Sequence, residues 1–273
     1  MDYRIFIIQM LYLVEYADYN SQAMLGNGIT AFHQAKAILE ENSTNRIIVS
    51  SVPTGLYVGK TVCIGTTAAY NNGVAENRQI TAIEDYSDGD ITGKAIIFSG
   101  DPVNIVIDNT IWGCAQITGD CDSLGMDSGC IVNDNYHSVI YRGIENIFSH
   151  IWQHIDGINI KDYQAYICYD PTKYANDKFT EPYTKLGYIN ANESDKYIKE
   201  LGYDENNPAI ALPTVTGGSS TTSMCDNYWS SAGNKIAYLG GSFNYNWARG
   251  GLNCNNGSSN AYWSFGARLL KYQ

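Results

Sequence analysis

Residues 240–265 read GGSFNYNWARGGLNCNNGSSNAYWSF, a stretch rich in aromatic and small polar residues. Twenty of these 26 residues are Tyr, Trp, Ser, Gly, Asn or Arg, and Arg249 is the one charged residue. Tyr and Trp offer broad contact area at low entropic cost, while Ser, Gly and Asn supply adaptable hydrogen bonds. A segment so poor in aliphatic residues must be presented by a scaffold. The composition predicts a ligand-binding surface, and the alternative is an irregular Gly/Asn-rich loop without a ligand.

The flanks of this stretch predict strands that lead into it and out of it. Residues 236–239 (IAYL) precede it, and residues 265–270 (FGARLL) follow it. Both runs carry the apolar and aromatic residues typical of strands. We therefore expect the polar aromatic stretch to be held between two strands of a core.

The alternation at the end of the stretch predicts an outward and an inward face. Side chains alternate across a strand with a period of two residues. Tyr262 and Ser264 are then expected to face outward, and Trp263 and Phe265 to face inward.

Length, charge and composition exclude several classes of protein. The 273 residues suit one large domain or one domain with an insertion. The net charge of −11 argues against a nucleic-acid or anionic-membrane partner, because such partners need a basic surface. Charged residues make up 16%, against a usual figure of about 25%, so much of the polar surface must be uncharged. The sequence contains no run of about 18 apolar residues, so it predicts no membrane-spanning helix.

The first residues predict a buried amphipathic helix. In residues 2–16 (DYRIFIIQMLYLVEY), the apolar residues at helical spacing predict one buried face, formed by Ile7, Ile8, Leu11 and Val14. A secretion signal is the alternative. The acidic start, the polar residues within the run and the missing small-residue cleavage site favour the helix.

Residues 57–112 predict a small inserted β-module of four or more strands. They contain β-branched runs separated by turn-forming residues, which is the pattern of short strands joined by hairpins. The runs are residues 58–64, 95–98 and 103–107, and the turns are residues 71–73 and 87–90. Gly59-Lys60-Thr61 does not complete a phosphate-binding loop, because Thr54 stands where that motif needs its first glycine.

Metal and thiol chemistry receive little support from the sequence. The loop at residues 113–136 carries aspartates at 120, 122 and 127, but their spacing does not fit an EF-hand. His150 and His154 would share one face of a helix, yet Ile151 stands where a zinc protease needs its glutamate. We expect structural histidines, no metal and no cofactor.

The seven cysteines contain no C-x-x-C pair, which argues against zinc-ribbon and thioredoxin-type sites. Cys121 and Cys130 leave two alternatives open. They bridge across the Gly-rich loop, or they are free thiols that act as small apolar residues, and free thiols are favoured.

Two sequence segments carry a family resemblance. Residues 141–157 (YRGIENIFSHIWQHIDG) are similar to a central core motif, with His150 and His154 in place of its Asn and its second Trp. Gly240-Gly241 and residues 266–270 (GARLL) are similar to the fixed borders of a variable region. In both respects the chain, over most of its length, resembles the variable proteins of diversity-generating retroelements, to which phage tropism determinants belong.

The resemblance implies an α+β architecture, the C-type lectin fold in the form related to the formylglycine-generating enzyme, with a small inserted β-module. It divides the chain into an N-terminal helical part (1–56), the inserted module (57–112) and the main lectin-fold body (113–273). The variable ligand-binding region would lie at about residues 228–270.

In this family a reverse transcriptase randomises adenines in a template copy, and Asn codons are the commonest targets. Ser, Tyr and Arg are reachable from Asn in this way, whereas Trp is not. The resemblance therefore implies that Trp247 and Trp263 are fixed supports of the binding surface. The implied diversified, ligand-binding positions are Ser242, Asn244, Tyr245, Asn246, Arg249, Asn253, Asn255, Tyr262 and Ser264.

The function that the resemblance implies is binding without catalysis. The chain would be a phage or prophage tail-tip adhesin, or a display protein of the bacterial cell surface, with a host surface protein or glycan as partner. A homotrimer in a virion is one assembly that the family allows. Nucleic acid, membrane insertion and a signal peptide are not expected.

Two alternatives remain open. The first is an oxidase like the formylglycine-generating enzyme, which needs two adjacent accessible thiols, and Cys225 and Cys254 are the candidates. The second is a glycan-binding lectin that works without metal. Calcium-dependent sugar binding is not supported, because residues 181–183 (EPY) and 226–229 (DNYW) do not match the motifs of calcium-dependent lectins.

Overall fold

A computed structural model describes residues 5–26, 28, 33–66, 73–114, 138–191, 196–208, 210–222, 224–242, 250–257 and 265–266. In these ranges the protein is mostly β-structure, with few short helices and several antiparallel sheets. The chain divides into two compact units. We call Thr30–Asp120 the inserted unit, and Met1–Ile29 together with Cys121–Gln273 the main unit. No described helix has the length and apolar character needed to cross a membrane.

The inserted unit is a set of antiparallel strands. Its main sheet has the order β1-β8-β4-β5-β6-β3, and β2 pairs with β7. The strands are β1 Gln34–Lys36, β2 Glu41–Thr44, β3 Arg46–Val49, β4 Thr61–Gly65, β5 Ala75–Asp88, β6 Ile91–Phe98, β7 Val103–Ile105 and β8 Thr110–Gly113. The predicted turn at residues 87–90 is confirmed, with Gly89 at φ 57° between β5 and β6.

The inserted unit begins earlier than the sequence suggested. Residues 1–56 were expected to form a helical part, but β1, β2 and β3 lie within them and pair with later strands. Residues such as Ile47 and Val49 are buried in the same core as Val62 and Ile64. Because a strand gains its stability from the neighbour it pairs with, the boundary lies near residue 30 and not at residue 57.

Lys60 is the exceptional residue of this core. Its side chain is fully buried, just before β4. Removal from water disfavours the charged ammonium, so burial lowers the pKa of Lys60 from its ordinary 10.5 to about 8.

The described residues of the main unit include the α-helices α1 Ile5–Tyr16 and α2 Ser21–Leu25 and a 3-10 helix at Pro171–Lys173. Its central sheet has the order β13-β12-β11-β17-β18, with β19 parallel to β11, and a smaller sheet has the order β15-β14-β16. The strands are β9 Ile140–Tyr141, β10 Ile144–Glu145, β11 Trp152–Lys161, β12 Gln164–Ile167, β13 Thr184–Tyr188, β14 Lys196–Tyr203, β15 Ala211–Thr216, β16 Asn227–Tyr228, β17 Asn234–Gly240, β18 Gly250–Gly257 and β19 Phe265–Gly266.

The α1 helix is confirmed, but of its predicted buried face Ile8 alone packs, partly buried, against the core. Ile7, Leu11 and Val14 are 48%, 41% and 84% exposed. The buried side chains include Gln9, whose Nε2 donates to Gly251 O at 2.6 Å, and Tyr12, which stacks on Tyr16 and meets Tyr141 edge-on. The core offers these polar and aromatic groups specific partners, and hydropathy spacing contains no information about them.

The segment around His150 and His154 is extended and not helical. His154 lies in β11, and His150 forms an isolated parallel bridge with Ser242. His154 therefore lies in the central sheet, and His150 lies two residues before β11, bridged to Ser242 of the predicted ligand-binding region.

Candidate functional site

Strands of the central sheet bracket both aromatic-rich segments of the predicted binding region. Gly240 of β17 pairs with Gly250 of β18, so the connection 241–249 leaves and rejoins the sheet at neighbouring points. Phe265 of β19 pairs with Trp152 of β11, so the connection 258–264 ends beside the central strand. The predicted strand at 236–239 is confirmed as part of β17, and residues 267–270 lie outside the described residues.

Main-chain atoms hold the two ends of the connection 241–249. Gly240 O accepts a hydrogen bond from Ser149 N at 2.9 Å. Gly251 N donates to Ser21 Oγ at 2.7 Å, and Gly251 O accepts from Gln9 Nε2 at 2.6 Å. These bonds use the backbone of Gly240 and Gly251, so they do not depend on the side chains of the connection between them.

The border also needs a glycine at position 250. Gly250 has a φ of +145°, which L side chains rarely adopt. A Cβ atom added there would collide with the carboxylate of Asp226, whose side chain is fully buried. The end of the variable connection is therefore fixed by conformation and by close packing.

Two residues that were predicted to bind the ligand are buried instead. Ser242 is fully buried, and Asn255 is 6% exposed, with its Oδ1 accepting a hydrogen bond from Trp229 N at 3.0 Å. Side chains enclosed by protein in this way have no access to an external ligand, so both belong to the framework. Asn253 lies in β18, but its side chain is outside the described part of the structure. The remaining predicted positions lie wholly outside it: Asn244, Tyr245, Asn246, Trp247, Arg249, Tyr262, Trp263 and Ser264.

Four rings cover one face of the central sheet. His154 stacks on its cross-strand partner Tyr238, with 5.1 Å between ring centroids and 22° between ring planes. Trp152 stacks on Phe265 with 6.4 Å between ring centroids, and the ring centroids of Tyr238 and Phe265 are 4.8 Å apart. Phe265 thus packs against its neighbours, as its predicted inward orientation requires.

The central strand bulges next to these rings. Ile155 pairs with Ala237, but the next pair is Asn159 with Ile236, so residues 156–158 have no counterpart in β17. Such bulges re-aim side chains and occur often beside functional sites. A pocket of about 270 Å³ lies at this point. Its polar walls come from His154, Asp156, Asn159, Tyr174, Asn176 and Tyr183.

A pinned loop closes one side of the pocket. Asn159 Nδ2 donates to Ala175 O at 2.8 Å and to Lys178 O at 3.0 Å. Ala175 N in turn donates to Tyr183 Oη at 3.0 Å. The Ala175 peptide is therefore bonded on both sides, and the pocket wall is held in place without a ligand.

Gly157 makes room for the aromatic wall. It has a φ of +85°, and an added Cβ would lie 2.9 Å from Cε1 and Cζ of Tyr174. This close approach requires glycine at position 157. The sequence gives no signal for this pocket, because its lining residues come from β11, from the loop at 170–183 and from Ile236 of β17, and they form no motif.

The described residues that line the pocket include one carboxylate, that of Asp156, and several uncharged polar groups. Burial lowers the pKa of His154, and the nearby Asp156 carboxylate opposes this effect. The imidazole is then neutral at physiological pH. Burial also raises the pKa of Tyr183, so its phenol stays protonated. Among the described residues there is no cluster of three or more His, Cys, Asp or Glu side chains that would hold a metal ion.

The two cysteines considered for oxidase chemistry are buried. Burial raises the pKa of Cys225 to about 11 and that of Cys254 to about 12. The Cys225 thiol donates to Asn20 Oδ1 at 2.9 Å. Inert structural thiols have these properties, whereas reactive ones are accessible and have a lowered pKa. Cys121 and Cys130 lie outside the described residues, as do the aspartates at 120, 122 and 127.

Comparison of the chain with protein-family models, with curated proteins and with solved structures finds no match. The family resemblance therefore depends on residues 141–157 and on the borders of the variable region.

Proposed function

We propose that the chain is a ligand-display protein, in which a fixed β-framework holds out a surface that a retroelement diversifies. The observation that supports this most directly is the anchoring of the two ends of the connection 241–249. Gly240 and Gly251 are held through their main-chain atoms by Ser149, Ser21 and Gln9. Ends held in this way tolerate changes in the side chains of the connection between them.

The burial of Ser242 and Asn255 narrows the proposed binding set. Substitutions at exposed positions usually change stability by no more than about ±0.5 kcal/mol, whereas buried positions cost more. Diversification suits only the first class, and binding then comes from a few aromatic anchors in a polar surround. The set we propose is Asn244, Tyr245, Asn246, Arg249, Asn253, Tyr262 and Ser264, with Trp247 and Trp263 as supports.

The finer assignment follows the family resemblance. The fold would be a C-type lectin fold with an inserted β-module, and the protein a receptor-binding module without enzymatic activity. It would act at a phage or prophage tail tip or on a bacterial surface, with a host surface protein or glycan as ligand. The antibody-like composition of residues 240–265 supports a binding role of this kind.

Tyr245→Ala and Tyr262→Ala test the display role directly. Each change is expected to leave the melting temperature nearly unchanged, because an exposed side chain contributes little to folding. Circular dichroism during heating measures this. If either variant unfolds, that tyrosine is part of the core and not of a display surface.

A pair of libraries tests the whole surface. One library randomises the seven proposed positions in the full-length protein, and the matched control randomises Gln9, Ser242 and Asn255. Resistance to a protease measures folding in both. We expect most members of the first library to stay folded, and few of the second. Selection against hen lysozyme as the probe protein should then enrich binders with Tyr or Arg in the first library. Equal loss of folding in both libraries would contradict the proposal.

A further inference from the structure

We propose that Cys63 and Cys114 of the inserted unit form a peroxide-sensitive thiol pair, which a hydroperoxide converts reversibly into a disulfide. Both thiols are free in the structure. Cys63 lies in β4, and Cys114 directly follows β8. None of the positions proposed for diversification belongs to the inserted unit, so the thiol pair does not depend on the display function.

The register of the sheet places both sulfur atoms on one face. Cys63 of β4 pairs with Trp112 of β8, and Cys114 lies two residues beyond Trp112. Because side chains alternate along a strand, Cys114 shares the face of Cys63. Cys114 N donates to Thr61 O at 3.1 Å, which continues the pairing past the end of β8. The Cys114 thiol donates a hydrogen bond to Cys63 Sγ, so the two sulfur atoms that a disulfide would join are already neighbours.

A bulge in the adjacent strand adds a second donor to Cys63. The register between β4 and β5 shifts at this point, so that Glu76 and Asn77 together oppose Cys63. Asn77 has a φ of 50°, which residues other than Gly and Asn rarely adopt, and its main-chain N–H donates to Cys63 Sγ. Both bulge residues are exposed, and Cys63 keeps 7% of its surface exposed. The bulge therefore offers a small oxidant a route to this thiol.

The two thiols differ in their readiness to ionise. The hydrogen bond from the Cys114 thiol lowers the pKa of Cys63, and the bond from Asn77 N acts in the same direction, against burial and Glu76. The pKa of Cys114 is raised, because it donates that bond and is buried, while the Lys60 ammonium opposes the rise. Peroxides react with the thiolate form. Cys63 is therefore the thiol that reacts first, and Cys114 is the thiol that completes the disulfide.

The reaction has two steps. The Cys63 thiolate attacks the terminal oxygen of the hydroperoxide, so an S–O bond forms, the O–O bond breaks, and the leaving alkoxide takes up a proton to give an alcohol. Cys63 is then a sulfenic acid. The Cys114 sulfur attacks the Cys63 sulfur, so the S–S bond forms and the S–O bond breaks, and the hydroxyl leaves as water with the proton of Cys114. The two thiols lose two electrons, and the hydroperoxide gains them.

The position of the two residues makes the disulfide easy to reduce. Cys63 and Cys114 are diagonal neighbours, which lie farther apart on paired strands than directly opposed residues do. A disulfide between them draws the strands together locally, and strained disulfides are reduced more readily than relaxed ones. The modification therefore suits a reversible response to peroxide.

Differential alkylation of the full chain, followed by peptide mass spectrometry, tests the pair. The folded, reduced protein is exposed to hydrogen peroxide, and the remaining thiols are blocked with N-ethylmaleimide. We expect a Cys63–Cys114 disulfide that dithiothreitol removes. The Cys63 thiol should be lost at least about tenfold faster than that of Cys168. Cys168 is the internal control, because it is fully buried and its thiol donates to Asp170 O.

Three variants test the role of each group. Cys114→Ser should stop the reaction at the sulfenic acid, which dimedone traps on Cys63. Cys63→Ser should leave Cys114 reduced at the same dose of peroxide. Lys60→Met should slow the second step and increase the fraction of Cys63 that dimedone traps, because the Lys60 ammonium favours the Cys114 thiolate. Cys168→Ser is the matched control, and it should leave formation of the disulfide unchanged.

The unmodified chain decides the inference even if a variant does not fold. A disulfide that joins other cysteines overturns it, as does absence of the Cys63–Cys114 disulfide until the chain is unfolded in urea. Oxidation of Cys114 at an unchanged rate in Cys63→Ser overturns the assigned order of the two thiols. Unfolding of the Tyr245 or Tyr262 variants contradicts the display function and leaves the thiol pair standing.

Discussion

Replacing Lys60 with methionine is expected to stabilise the inserted unit. The side chain is fully buried, and burial lowers the pKa of its ammonium from 10.5 to about 8. A pKa difference of this size means that burial of the charged ammonium lowers the free energy of unfolding by about 3 kcal/mol at neutral pH. Methionine is similar in length and carries no charge, so it fills the same space at small packing cost. We expect Lys60→Met to raise the free energy of unfolding by about 2–3 kcal/mol at neutral pH.

The stability gained by Lys60→Met should depend on pH. Below about pH 8 both the folded and the unfolded chain carry the proton, so the full penalty applies. Between about pH 8 and 10.5 the folded state loses the proton first while the unfolded state keeps it, so the unmodified protein becomes more stable as pH rises. The advantage of Lys60→Met should therefore shrink across this window.

Urea unfolding of the full chain, followed by circular dichroism at about pH 7 and about pH 10, measures both effects. Hydrogen exchange of the β4 amides at neutral pH assigns the change to the inserted unit. Lys36→Met is the matched control, because the Lys36 side chain is 62% exposed and its removal should change stability by no more than about 0.5 kcal/mol. A loss of stability in Lys60→Met at neutral pH, or a gain that does not vary with pH, would refute the reasoning.

Two further predictions concern the main unit. Gly250→Ala should destabilise it by about 2–4 kcal/mol, because strain at φ +145° adds to a collision with Asp226. Gly233→Ala, where the added Cβ meets open space at φ +87°, should cost less in the same thermal unfolding assay, and equal losses would argue against the collision. Because burial lowers the pKa of His154, the unfolded state binds its proton first, and stability should fall as pH drops from about 6.5. His154→Phe should therefore lose less stability than the unmodified protein between about pH 7 and pH 5, and an equal loss in urea titrations would count against this assignment.

Local patterns were enough to predict several elements. Parts of β4, β6 and β7, the turn at 87–90 and the strand at 236–239 follow from β-branched runs and turn-forming residues a few positions apart, whereas β5 and β8 were not among the predicted runs. The helix at the start of the chain was also predicted, because its apolar residues recur at helical spacing. These features depend on interactions within a single element or a single hairpin, so they can be read directly from the sequence.

Other features depend on groups that meet only after folding. Gln9 and Gly251 are 242 residues apart in the chain, and their hydrogen bond helps to determine which face of α1 is buried. The burial of Ser242 and Asn255 and the early start of the inserted unit depend in the same way on neighbours from distant segments. The pocket arises where a bulge in β11 meets the loop at 170–183. Composition and spacing describe a residue's own preferences, whereas burial and site geometry are properties of the partners it meets.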